Sequence, residues 1–381
     1  GLRAGALGFS TSRTLNHKAA DGRHIPTLRA EEAELTAIAG AMRAAGTGWL
    51  QIVSDFEDQA GEIGLFRRLA EASGRPLSLT VLQSDKRPDG WREILAEIAA
   101  ANRDGLAITA QVRSRPTSVL LGFELSQNPF MGRPSYKAIA DLPFVERLAH
   151  LRDPAFRARL MGERFEDRGR RQLESWDRFF ALGDPPDYEP SPDSSVAARA
   201  AREGRTPQEI AYDLLMLNDG RGILYKPVTN FAAGNLDVVR EMMAAPHTLL
   251  GLGDGGAHVG LMCDATATSY TLTHWTRDRG RGALFPVAWA VRRLSADNAR
   301  AIGLHDRGLL AVGKKADINV VDYDRLCLRA PEIVYDLPAG GKRLVQRTEG
   351  FEATIVSGAV VYRDGAPTGA RPGRLVRGPR T

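Results

Sequence analysis

The 381-residue sequence predicts an α/β chain: a parallel sheet, open or closed, followed by a β-rich C-terminal part. Three observations predict it. Up to about residue 298, short apolar runs alternate with helical stretches, the pattern of parallel strands joined by crossover helices. After Leu304 the helical spacing gives way to short β-branched runs separated by turn residues. The early apolar runs also end on polar groups, and parallel α/β folds gather their ligand chemistry at the carboxyl ends of strands.

The elements follow in order. Residues 7–10 read as a strand, and 17–27 as a polar loop containing Gly22 and Pro26. Residues 31–45 have helical spacing; 50–54 form a strand with Asp55 just past its end. A helix at 63–73, a strand at 77–82, a helix at 91–102 and a strand at 106–112 continue the alternation. Residues 144–180 are charged and helical, and 184–192 is an extended loop dense in proline. A helix at 209–217 ends in the turn Asp219-Gly220-Arg221-Gly222, and residues 238–244 lead into an apolar strand. The C-terminal strands are 318–321, 353–356 and 360–362, with turns at Ser357-Gly358 and Asp364-Gly365.

Composition narrows the function classes. The net charge is +5, but the 44 arginines are scattered among acidic residues, as in Arg277-Asp278-Arg279. Their densest run is a Gly/Pro-rich tail from Arg371 to Arg380, so no basic stripe suits nucleic acid. No apolar stretch reaches the roughly 20 residues of a membrane span. Gly1-Leu2-Arg3 runs straight into a strand-like segment, with no signal peptide in view. Cys263 and Cys327 cannot build a disulfide framework, so a cytoplasmic protein is expected.

The segment from Leu249 to His258, ending Gly253-Asp254-Gly255-Gly256-Ala257-His258, carries most of the chemistry. An apolar run delivers one carboxylate to a strand end, and glycines let the chain turn at once. Asp254 there can bind metal, take a proton from water, do both, or simply cap the turn. His258 either points into a site or packs the turn. Asp55 and His274 admit both a functional and a structural reading. Gly8-Phe9-Ser10-Thr11-Ser12 is not G-x-S-x-G and indicates no nucleophile elbow.

Downstream of Asp254 come two helical segments, 284–295 and 298–304. Then follows Arg307-Gly308-Leu309-Leu310-Ala311-Val312-Gly313-Lys314-Lys315-Ala316-Asp317-Ile318-Asn319-Val320-Val321-Asp322. This resembles the C-terminal part of the amidohydrolase superfamily. Gly5-Ala6-Leu7-Gly8-Phe9-Ser10-Thr11 and the D-G-G-A-H segment narrow the resemblance to the N-acyl-D-amino-acid deacylase (D-aminoacylase) branch. It implies a partial TIM-like (β/α) barrel over residues 1–304, with a Pro-rich insertion near 184–206. Part of a small β-sandwich and the basic tail would occupy 305–381.

The resemblance also implies a metal-dependent amide hydrolase using zinc and acting on a small molecule, an N-acyl amino acid. Asp254 would be metal ligand and general base. The chain departs from the family's metal site. None of its seven histidines forms His-x-His. Gln83 and Gln111 stand where the middle strands would carry histidine, and glutamine is a poor zinc ligand. Gln83, Gln111, Arg113 and His258 are therefore expected at the substrate end, with Arg113 suited to a carboxylate. The chain is expected to be N-terminally truncated, processed or split, because it opens at a middle strand. Tight zinc binding by this chain alone is not expected, and a homo-oligomer or a partner supplying the missing strands is. The alternatives are a non-catalytic binding or scaffold subunit, or a related hydrolase acting on a cyclic amide.

Overall fold

The structure, a computed structural model, describes residues 1–19, 21–164, 173–253 and 255–378. Asp254 and the last three residues of the tail lie outside the described residues.

The first elements are β1 (Gly8–Arg13), α1 (Glu32–Ala45), β2 (Trp49–Ser54), α2 (Gln59–Ser73), β3 (Leu77–Thr80), α3 (Gly90–Arg103) and β4 (Ile108–Val112). Next come β5 (Ser118–Leu121), α4 (Pro134–Lys137), α5 (Phe144–Arg152), α6 (Pro154–Gly162), β6 (Phe180–Ala181), α7 (Val196–Glu203), α8 (Pro207–Gly220) and β7 (Leu224–Pro227). Then α9 (Asp237–Ala244) leads into β8 (Thr248–Leu250). Five of these strands form one parallel sheet in the order β1-β2-β3-β4-β8. The alternation read from the sequence is thus a parallel sheet, and among the described residues it stays open.

Strand periodicity divides this sheet into two faces. Leu50, Ile52, Leu77, Leu79, Ile108, Ala110 and Val112 are buried against Met42, Phe66, Leu69, Ile94 and Ile98 of the helices. Each such Leu, Ile, Val, Phe or Met side chain contributes about 1.5–3 kcal/mol on burial. The other face is polar. Ser10, Gln51, Ser78 and Thr109 run across it in register, and Thr80 and Gln111 follow nearer the carboxyl ends, with the apolar Leu249 next to Gln111 on β8. The crossover helices stop where the chain allows it: α1 and α2 end at Gly46 and Gly74, both left-handed.

The segment between β4 and β8 is a module with its own core. β5, β7 and β6 form an antiparallel sheet in that order. Phe123, Phe130 and Tyr212 pack with Leu121, Leu215 and Leu224 in a second hydrophobic cluster. The Pro-rich stretch expected as an insertion is one part of this wider module, contributing a short 3-10 turn at Pro192–Ser194 and α7.

The C-terminal part adds α10 (Ala267–Thr273), α11 (Val287–Leu294) and α12 (Ala296–Ala301). Strands β9 (Ile318–Val321), β10 (Cys327–Leu328), β11 (Glu332–Leu337), β12 (Gly341–Val345), β13 (Thr348–Glu349), β14 (Phe351–Val356), β15 (Ala359–Arg363) and β16 (Ala366–Pro367) follow. They pair antiparallel, as β16-β15-β14-β9, β11-β12 and β10-β13. This is the β domain that the sequence led us to expect. The tail returns to the start of the chain: the Gly378 N–H donates to the Gly5 carbonyl at 2.9 Å, and Arg377 to that of Ala4 at 2.9 Å.

Candidate active site

The carboxyl ends of β3, β4 and β8 form one rim. Gln111, on β4, stands on the polar face. Its Nε2 donates to Ser78 Oγ at 3.0 Å, and Ser78 Oγ also accepts from Trp49 Nε1 at 2.8 Å. Its Oε1 faces Gly251, where a Cβ would lie 3.8 Å away. Gln111 thus reaches from β3 to the chain leaving β8, the side on which the sequence carries Asp254.

Gln83 is placed differently. It follows β3 and is buried, and its amide is committed to the chain's own backbone. Nε2 donates to the Pro88 carbonyl at 3.1 Å, and Oε1 accepts from the Ala232 N–H at 3.1 Å. Its backbone N–H donates to Asn230 Oδ1 at 2.7 Å. The side chain expected to meet substrate therefore fastens two loops, because both its polar atoms already have partners. It also borders an open cleft of about 580 Å³ with Asp85, Asp89, Asp177 and Arg178.

Arg113 leaves the end of β4 and is buried. It donates to Asp264, and Arg115 reaches the same carboxylate at 3.0 Å. Arg115 lies over the Tyr188 ring at 4.3 Å. This pair of guanidiniums on one buried aspartate was not read from the sequence; Arg113-Ser114-Arg115 directly after a strand is the signal that could have found it.

The loop after Gly255 is exposed through His258. His258 has φ 48°, a left-handed turn residue, and its carbonyl accepts from Leu261 at 2.7 Å. Beyond it the loop is clamped: Leu344 donates to the Val259 carbonyl at 2.7 Å and Leu120 to that of Leu261 at 2.8 Å. So β5 and β12 hold the segment that follows D-G-G.

A second buried ionic group went unread. Glu189, in the Pro-rich loop, accepts from His274 at 3.0 Å, from Arg279 at 2.9 Å and from the Leu236 N–H at 2.8 Å. Burial would raise this carboxyl, but the hydrogen bonds from His274 and Arg279 outweigh it and hold it down at about 2. His274, ambiguous in the sequence, is thereby a packed and paired residue, stacked on Tyr270 with centroids 4.5 Å apart. Asp55 is also a turn residue here, accepting from Thr14 at 2.6 Å and Leu15 at 2.7 Å.

A metal centre needs three or four good ligands. Among the described residues no group of three or more His, Cys, Asp or Glu could hold one, and the middle strand ends carry Gln83 and Gln111. The described residues do not fit a metal centre by themselves. Burial pushes the Cys263 thiol up to about 11.

Comparison with known proteins gives the same direction as the motifs. The chain is 38% identical over 107 residues to the N-acyl-D-glutamate deacylase of Alcaligenes xylosoxydans xylosoxydans, a stretch covering 27% of this chain and 20% of that protein. It is 34% identical over 105 residues to the D-aminoacylase of the same organism, covering 28% and 19%. Its fold is similar to that of a D-aminoacylase studied for its binuclear metal centre, with a TM-score of 0.51 and 17% identity over 97% of this chain and 62% of that one. A second D-aminoacylase structure, described as defining a novel subset of amidohydrolases, gives a TM-score of 0.50 at 17% identity, again over 97% and 62%. The chain thus spans less than two thirds of the length of each relative. The profile of the Amidohydrolase family matches residues 1–362, and the chain belongs to that family.

Proposed function

We propose that the protein hydrolyses the amide bond of an N-acyl amino acid, in a metal-dependent reaction of the D-aminoacylase kind. One observation carries the reading: the family match runs unbroken through the rim of the parallel sheet, including the segment that leaves β8 toward Asp254. Asp254 is the proton acceptor in this reading. It takes a proton from water and passes it to the leaving amine, a role worth about 10²–10⁴ in rate. Asp254 is also proposed as one metal ligand, with zinc as the metal. When bound, such an ion activates water and polarises the acyl carbonyl. Among the described residues no group of three or more His, Cys, Asp or Glu completes the ligand set.

Gln111 is proposed to hydrogen-bond the substrate across the gap to Gly251, and Arg113, held by Asp264, to recognise the substrate carboxylate. His258, exposed on its loop, would contact the acyl or carboxylate end. Gln83 shapes the rim through Pro88 and Ala232. The cytoplasm is the proposed location, supported by the two free cysteines, Cys263 and Cys327. Among the described residues no helix is long and apolar enough to cross a membrane.

The lack of a three-ligand cluster among the described residues favours one other reading, a binding or scaffold subunit. A panel of N-acyl-D-amino acids, assayed for amine release with and without a chelator, separates the two. Chelator-sensitive release supports the hydrolase. No release from any member, with metal supplied, supports the scaffold.

A further inference from the structure

The D-G-G segment is tethered at both ends. It leaves β8 with the Gly251 N–H on the Val112 carbonyl of β4 at 3.0 Å. It ends where three consecutive carbonyls are taken by backbone N–H groups from distant parts of the chain. Val259 accepts from Leu344 at 2.7 Å, Gly260 from Ser126 at 3.0 Å and Leu261 from Leu120 at 2.8 Å. Leu120 lies on β5, Ser126 in the turn after it and Leu344 on β12, so the module and the C-terminal domain grip one loop together. Between the tethers the chain has glycine at 253, 255 and 256. Such a backbone has little stiffness of its own, so its fixed ends decide where it lies.

β12 holds the loop with an edge that its own hairpin does not use. In the antiparallel pair with β11, Glu332 faces Val345, Ile333 faces Leu344 and Val334 faces Arg343. Successive residues of such a strand turn their N–H groups to opposite sides. The Leu344 N–H is turned to Val259, so the ladder with β11 runs through Arg343 and Val345. The hairpin is fastened to the module in turn. Tyr335 Oη donates to the buried Glu124 carboxylate at 2.6 Å, and Arg221 reaches the same carboxylate at 3.1 Å. Lys342 donates to the Glu124 carbonyl. Glu124 stands two residues before Ser126, so one turn of the module carries both the hairpin and the loop.

We propose that the β11–β12 hairpin is a positioning element for the active site. The Leu344 N–H, through the Val259 carbonyl, fixes the far end of the D-G-G segment and so the working position of Asp254, five residues earlier. Leu344 is a positioning residue in this account: it acts through the loop and touches no reacting atom. A small misplacement of a reacting group is enough to slow a reaction severely, which is why a distant backbone bond can matter to turnover. The catalytic part of this inference rests on the hydrolytic reading; the tether does not.

The test compares three variants of the intact protein. Leu344→Pro removes the N–H and leaves the hairpin ladder its bonds. Leu344→Ala removes the buried side chain and keeps the N–H. Tyr335→Phe removes only the hydroxyl that ties the hairpin to Glu124, and it carries both readouts should the proline variant not fold. The first readout is amide exchange at Leu261 and Met262, which bond the His258 carbonyl at 2.7 and 3.0 Å. Exchange should speed up several-fold in Leu344→Pro, less in Tyr335→Phe, and stay near wild type in Leu344→Ala. The second is turnover of N-acyl-D-amino acids at saturating substrate, with metal supplied. Leu344→Pro should lose about 10–10²-fold in kcat and Tyr335→Phe less. Leu344→Ala should melt earlier yet keep a kcat near that of wild type. A kcat that simply follows melting temperature across the three variants would overturn the proposal, and so would unchanged exchange in both Leu344→Pro and Tyr335→Phe. A wild type that releases no amine would sink the hydrolytic reading and the catalytic role with it, while exchange still decides the tether.

Discussion

Arg115 and Asp264 meet at 3.0 Å with both side chains closed off from solvent, and Arg113 binds the same carboxylate. Burial opposes the charge on Arg115, but Tyr188 and Asp264 outweigh it and raise the guanidinium above its ordinary value. Both arginines therefore share one aspartate just beyond the rim. Asp264→Asn keeps the shape and removes the charge. It should cost roughly 3–5 kcal/mol, the usual penalty for breaking a buried ion pair from one side. Urea denaturation reads this directly; a loss well below 1 kcal/mol would mean that Asp264 is not what holds the pair.

Glu189 supplies a pH signature. Its carboxyl is held at about 2 against an ordinary 4.5, so the folded state favours its ionised form. A depressed carboxylate contributes stability that is present above its unfolded value and is lost as pH falls through the folded one. The stability gap between wild type and Glu189→Gln should be full at neutral pH. It should shrink as pH drops from about 4.5 toward about 2. A gap that stays constant across that window would place the stabilisation elsewhere.

Asn298 tests how β8 is held. Its side chain caps the Leu250 carbonyl on the edge away from β4, close to the D-G-G turn. Asn298→Ala should cost about 1–3 kcal/mol by leaving that carbonyl unpaired, and thermal melting would record it. An unchanged melting temperature would show that water replaces the cap without loss.

Metal analysis tests the donor set. Residues 1–381 alone should retain well under one metal per chain after dialysis, because two glutamines and one carboxylate cannot supply three or four good ligands. Stoichiometric zinc in the dialysed chain would overturn this.

Much of the fold was legible, and particular residues show why. Leu50 and Ile52, or Leu77 and Leu79, alternate with polar neighbours and declare a strand with one helix-covered face. The strand from Ile318 to Val321 emerged with the bounds read from the sequence. The hairpin of β11 and β12 was not legible, since Glu332, Asp336 and Arg343 break its apolar pattern with surface ion pairs. The site was legible in type more than in contact. Gln111 stands on the rim, as its place at a strand end implied. Gln83 has the same sequence signature, yet loops from residues 88 and 232 claim its amide, and no local pattern encodes partners so distant. The same distance hid Glu189, whose partners lie 85 and 90 residues further on.

The central claim is that Asp254 serves an amide hydrolase, and amine release by the intact protein tests it most directly. Wild type and Asp254→Asn would be assayed with N-acyl-D-amino acids and metal supplied, alongside their melting temperatures. The variant should lose about 10²–10⁴ in turnover as the general base is removed, while its melting temperature stays near that of wild type. Near-normal turnover by Asp254→Asn would contradict the account and leave the D-G-G turn a structural feature.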